Sequence, residues 1–383
     1  MADDKKFTKW VACWGTATSI TKRTEVTYAK DLTLRYPVKI CFSGSRLRFR
    51  FSNLTGTEDV KVTKAFCAKK SDDSYKSVPV TKGGSEFVIP AGREIESDEI
   101  NFDVNAGDTI EVSMYFKDFT QMNSGTVILS PFEKGYYAYG DFAESKDLND
   151  DLSNTTNIFY FLNTIDIFTE EKNHALICYG DSITCCSWPD YLRERAFNDG
   201  KGNVSVIRRA VCGTRILRQY NCITYQAYGL KGEVRFPIET NVSGADSIII
   251  HHGINDIIHP VGVEVNKFRP WTDMPSLKDL TEGVKKIYAE PAHKMGLKTY
   301  SATLIPIYGW RTYNEEREKL RNDFNEWLRN SKDFDGCIDF DLAVRDINNP
   351  KAFAPECDSG DHLHPSETAC NLMAKAVPPA LLV

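Results

Sequence analysis

No stretch of this 383-residue sequence approaches the length of an apolar membrane span, and the opening segment, MADDKKFTKW, has no signal-peptide core. Both absences point to a cytoplasmic protein with no membrane partner. A clustered basic face is also missing, and with a net charge of -6 that argues against a nucleic-acid partner. The basic pairs Arg208-Arg209 and Lys285-Lys286 read as solvated surface. Eleven cysteines occur without a single C-x-x-C, which fits buried or free thiols better than a disulfide framework. G-x-S-x-G is absent too, and with it the signature of the α/β-hydrolase nucleophile elbow.

What is present divides near residue 165. Before it, short alternating runs dominate: in SRLRFRFSN, Leu47, Phe49 and Phe51 fall on one face and Arg46, Arg48 and Arg50 on the other. Similar runs recur between turn signals such as Lys82-Gly83-Gly84 and Ala106-Gly107-Asp108, with no amphipathic helix among them. Residues 1–165 therefore read as an all-β sandwich of jelly-roll type, ending in a hydrophobic connector, NIFYFLNTIDIF.

Residues 166–383 alternate differently. ALICYG, VSVIRRAV, SIIIHHG, TYSATLIP and GCIDFDLA are near-continuous apolar runs, as strands of a parallel sheet buried on both faces require. Helical patterns lie between them, one capped by Ser276, one by Asn314 and a last one starting at Ser366. The expected fold is a three-layer α/β/α domain.

Ligands of such sheets gather at the carboxyl ends of the strands, so the loops there are where chemistry is sought. The first strand is followed by Gly180-Asp181-Ser182, the second by Gly213, the third by Asn255, and DSGDHLHPS carries Asp361 and His364. A serine needs a base to take its proton, and histidine titrates in the right range. An acid three residues before that histidine can fix its tautomer, and aimed amides can stabilise the oxyanion of acyl transfer. Closely spaced Asp361, His362 and His364 also allow a zinc site, but no second histidine cluster of matching spacing accompanies them. His251 and His252 end a strand, where a packed or hydrogen-bonded role is expected for at least one. Cys185 and Cys186 read as small buried hydrophobes.

In order along the chain, GDSIT, the glycine of RRAVCGTRIL, GINDI and DSGDHLHP resemble the four sequence blocks of the SGNH, or GDSL, hydrolases. The resemblance implies Ser182 as nucleophile, His364 as base and Asp361 as its partner, with Ser182, Gly213 and Asn255 donating to the oxyanion. It extends to that family's two-domain bacterial branch, in which a β-sandwich precedes the hydrolase domain. No metal or cofactor is implied. Thr214 stands where the family often has asparagine.

The expected reaction is hydrolysis of O-acetyl esters on carbohydrates, as in acetyl-xylan or acetylated-oligosaccharide esterases. Trp188, Tyr220, Tyr225, Tyr228, Trp271, Tyr308 and Trp310 occur in loops expected near the serine, and flat aromatic faces suit sugar rings. Trp188, Trp271 and Trp310 are the candidate substrate contacts. A general short-chain esterase or thioesterase is the alternative, and a sugar-binding protein with an inactive hydrolase domain is the reading from another class. A homo-oligomer is neither called for nor excluded.

Overall fold

The computed structural model describes residues 6–20, 27–70, 75–148, 154–199, 202–220 and 222–383. Among the described residues no helix precedes Ser182, and the strands before Thr169 pair antiparallel. The arrangement is the one alternating sequence favours. Leu47, Phe49 and Phe51 on the strand Gly44–Ser52 are fully buried, whereas the arginines between them point the other way.

That other face does not meet water alone. Arg48 donates to Asp166 (2.9 Å) and to the Ser243 hydroxyl (3.0 Å), and Arg50 donates to the Asn241 carbonyl (2.7 Å). The arginine stripe is thus a docking face for the second half of the chain. The segment expected as a connector is also structural, since Leu162–Thr169 lies between Lys9–Gly15 and Gly44–Ser52 as an interior strand. Its apolar residues were needed for a sheet, not for a crossing.

Five parallel strands follow: β1 (His174–Gly180), β2 (Val204–Ala210), β3 (Ala245–His251), β4 (Lys298–Ala302) and β5 (Gly336–Ile338), in spatial order β2-β1-β3-β4-β5. Every residue of β2 is buried, as expected of a strand covered on both faces. The caps are where the sequence puts them. Ser276 forms a capping box with Asp279, the Asn314 side chain accepts from Arg317 N, and the Ser366 side chain accepts from Ala369 N. GCIDFDLA is only half strand, because the Asp339 carboxylate accepts from Leu342 N and starts a helix at Phe340. No helix of the described residues is long and apolar enough to cross a membrane.

One hydrophobic cluster runs through both halves, from Val11 and Leu47 to Phe324 and Met373. Strand Lys9–Gly15 packs along β2, where Ser205 Oγ donates to the Ala12 carbonyl at 2.6 Å.

Arg208 and Arg209, expected at the surface, are 5% and 1% exposed. Lys285 and Lys286 do lie outside, each paired with a carboxylate. The difference is strand position, because β2 has no solvated face on which to put a charge. Arg208 is instead compensated by Asp190 and Glu133. Arg209 donates to the Thr16 and Asn163 carbonyls, to Thr164 Oγ1 (2.7 Å) and to the Glu239 carbonyl (3.0 Å), and burial pulls it down to about 10. It ties both halves of the chain together through buried oxygens, and without it the guanidinium's partners would lose their contact across the seam. Arg209→Ala is therefore expected to lower unfolding stability by about 3 kcal/mol or more, read from urea denaturation. A loss below about 0.5 kcal/mol would show that the tie carries no weight.

Candidate active site

The site is set by strand register. β1 pairs so that Gly180 lies opposite Ala210 on one side and His251 on the other, which brings the loops after three strands to one edge. Only glycine fits there: a Cβ on Gly180 would sit 2.4 Å from the His251 carbonyl oxygen and 2.3 Å from Thr184 Oγ1. The chain then turns into Asp181, whose carboxylate accepts from Ile183 N at 3.1 Å and caps the single helical turn Ser182–Cys185. A turn starting at the serine lifts its hydroxyl off the sheet edge.

Ser182 Oγ lies 2.9 Å from His364 Nε2, and His364 Nδ1 lies 2.6 Å from Asp361 Oδ2. The tautomer that satisfies both contacts has Nδ1–H donating to the carboxylate and Nε2 accepting from the serine hydroxyl. Asp361 Oδ1 accepts from the amides of Leu363 (3.0 Å) and His364 (2.8 Å). Burial pushes the Asp361 carboxyl up, but the amide and ring of His364 outweigh it and hold the group below the usual carboxylate value. The acid thus stays charged beside the imidazole.

Gly213 adopts φ +79°, and a Cβ there would lie 2.3 Å from the Tyr228 ring, so the second loop also needs glycine. Asn255 Nδ2 donates to the Thr214 carbonyl at 3.0 Å, which orients its amide and links the second and third loops. Asp256 reinforces the link by accepting from Ile216 N (2.7 Å) and Leu217 N (3.0 Å). The Thr214 side chain faces inward, taking a hydrogen bond from Arg235 (2.7 Å) beside His252 Nε2 (2.9 Å). Its hydroxyl holds the loop in place.

Burial governs the charges beneath. It pushes Asp181 up to about 7 and Asp256 up to about 6, and it pulls His251 down to about 4 and His252 down to about 3. His252 is bonded to Tyr288 (2.7 Å) and to Thr214, so it is the structural histidine that its place at a strand end implied. Cys185 and Cys186 are buried, and the neighbouring thiols of Cys212 and Cys370, with burial, push both well above the ordinary thiol value. They are thiols at neutral pH, not nucleophiles.

The aromatic candidates separate. Trp188 is fully buried, packed edge-on to Phe340 at 5.2 Å, and so it is a core residue rather than a substrate contact. Its position opening the helix Trp188–Asn198 turns it inward. Trp271 is half exposed, with its indole N–H donating to Glu264 (3.0 Å) and Arg317 lying over its ring. Trp310 follows Gly309, where a Cβ would lie 2.8 Å from the His362 ring, two residues before His364. Tyr228 stacks on His259 and tilts against Tyr220, forming a wall beside Gly213. The Tyr225 side chain lies outside the described residues.

A second Asp–His pair was passed over. His362, at φ +63°, holds Nδ1 2.5 Å from Asp358 Oδ2. The acid-then-histidine order that occurs twice in DSGDHLH was its signal. Among the described residues, no three His, Cys, Asp or Glu side chains converge as metal ligands would.

Residues 176–377, just over half of the chain, match the GDSL-like lipase/acylhydrolase family. The chain belongs to that family. Among solved structures, this acylhydrolase is similar to an α/β hydrolase enzyme from the metagenome of Lake Arreo, Spain, at 14% identity and TM-score 0.41, covering 55% of this chain and 96% of the other. An acetylxylan esterase from Geobacillus stearothermophilus matches at 14% identity and TM-score 0.38, with 53% and 91% covered. The acetyl xylan esterase AlAXEase matches at 17% identity and TM-score 0.34, with 53% and 96% covered. No curated protein matches the acylhydrolase.

The raised Asp181 group sets a stability prediction. Unfolded, this carboxyl loses its proton near 4, but folded only near 7, so the wild type loses stability from this group as pH rises between those values. Asp181→Asn removes that loss. Relative to wild type, the variant should gain stability from pH 4.5 to 7.5 in urea titrations; a constant difference would show that Asp181 does not titrate in this window.

Proposed function

We propose that the protein is a serine esterase that removes O-acetyl groups from carbohydrates through a covalent acyl-enzyme. The observation that carries the catalytic part is the hydrogen-bonded chain from Ser182 through His364 to Asp361. As Ser182 Oγ attacks the ester carbonyl carbon, its proton passes to His364 Nε2. The oxyanion takes hydrogen bonds from the amides of Ser182 and Gly213 and from the Asn255 side chain. Collapse expels the sugar alkoxide, which takes the proton from His364 and leaves acetyl on Ser182. Water then attacks, gives its proton to His364, and the intermediate collapses to acetate and free Ser182.

The carbohydrate part draws support from the aromatic surroundings. The Tyr220, Tyr228 and His259 wall flanks Gly213, and Tyr308, about half exposed, stands two residues from Trp310. Tyr228 over Gly213 leaves the oxyanion side narrow, which favours a methyl over a long acyl chain. We place the division between an N-terminal β-sandwich and the hydrolase domain between residues 165 and 170, the first serving as support and seam for the second.

Ser182→Ala is expected to reduce turnover of 4-nitrophenyl acetate by about 10⁴-fold or more with folding intact. His364→Ala should cost as much, and Asp361→Asn about ten- to a hundredfold less, because the acid orients the ring while histidine moves the proton. Wild-type rates in the serine variant would end the mechanism. Since Asp361 is held below the ordinary carboxylate value, the acid limb of the rate–pH profile should show a single ionisation and no second step from that carboxylate.

Across 4-nitrophenyl acetate, butyrate and octanoate, kcat/KM should fall steeply. Acetate release from acetylated xylo-, manno- and cello-oligosaccharides tests the sugar part. If octanoate is the best ester, or no oligosaccharide loses acetate, the carbohydrate reading fails while the serine mechanism stands.

A further inference from the structure

A cavity of about 550 Å³ opens on the seam between the strand-rich region and the oxyanion loop, within the size range of small-molecule sites. None of Ser182, Asp361 and His364 lines it. One wall comes from the N-terminal half, with Ser19 and Leu54, and the other from Gln219, Gln226, Gly229 and Leu230. The floor is the ion pair Arg235–Glu239, bidentate at 2.9 and 2.7 Å and almost fully buried. From that floor Arg235 also donates to Thr214 Oγ1 (2.7 Å) and to the Gly180 carbonyl (3.2 Å), so the cavity adjoins the loops carrying Ser182 and Gly213 from outside.

The lining excludes two ligand classes. A charged ligand would have to be desolvated against a floor whose two charges already compensate each other. An acyl chain would strip water from the Gln226 amide, the Gln219 Nε2 and the lone pairs of Ser19 and Thr55, whose hydroxyl protons already go to the Ala227 and Asn123 carbonyls, without returning a hydrogen bond. A neutral ligand with many hydroxyls meets both conditions, because it can bond the amides and hydroxyls while its C–H faces rest on Ile20, Leu54 and Leu230. We infer that this seam cavity is a second binding site, separate from the Ser182 hydroxyl, for a neutral polyhydroxylated ligand of one or two sugar rings.

This inference does not rest on the esterase reading, and its test keeps the two apart. Titration calorimetry of the full chain with xylobiose should show saturable binding, retained in Ser182→Ala. Leu230→Trp, at a partly exposed rim position, should fill the cavity and weaken binding at least tenfold. Gln226→Leu, an exposed side chain that tests the same cavity if the tryptophan variant fails to fold, should weaken it about three- to tenfold. The inference is overturned if wild type binds no xylobiose, if octanoate or inorganic phosphate binds better, or if the folded variants bind xylobiose as wild type does. Xylobiose binding in a protein that cleaves no ester would sink the catalytic reading alone.

Discussion

Everything chemical in this acylhydrolase depends on the close approach of β1 and β3 at Gly180. Ser182, Gly213 and Asn255 reside on three separate loops, and no local sequence rule brings them together. What does so is parallel register, with Gly180 flanked by Ala210 and His251 and no room for a side chain between. A single methyl there would press on the His251 carbonyl, and the strand ends that carry all three loops would have to part.

Below that edge lies a buried polar layer in which several groups have more than one partner. Thr214 connects Arg235, His252 and Asn255, and Asp256 holds the amides that follow it. Such a layer is rigid because each unpaired member would be costly in a low-dielectric interior. Its titration is balanced as well. Folded His251 and His252 resist protonation, so they take stability away as pH falls below the ordinary histidine value, whereas Asp181 and Asp256 take it away as pH rises from 4 toward 6 or 7. Between about pH 4 and 6.5 the two pairs act in opposite directions.

The strand-rich half is bound into the same economy of buried charge. Arg48, Arg50 and Arg209 bridge the seam by donating to hydroxyls and carbonyls on its other side, and Glu133 reaches across to Arg193 and Arg208. With one apolar cluster continuous across the seam, separating the halves would expose both carbon and unpaired charge.

The sequence by itself determined the two textures of the chain, the places of the five parallel strands, the three helix caps and the four short blocks that carry the family resemblance. Those features rest on local physics: period-two alternation, apolar runs, side chains that reach their own backbone, and short spacings such as Asp361 to His364. Whatever depended on neighbours distant in the chain was decided only by tertiary structure. Arg208 and Arg209 looked like surface charge because nothing nearby in sequence announces Asp190, Glu133 or the Thr16 carbonyl as partners. Trp188 looked like a binding aromatic because loop proximity to Ser182 was legible, but the direction of its ring, toward Phe340, was not. The strand Leu162–Thr169 looked like a connector because its place inside a sheet exists only once Lys9–Gly15 and Gly44–Ser52 lie on either side of it. A residue's chemistry is written in the chain, but which of its faces is covered is settled by what packs against it.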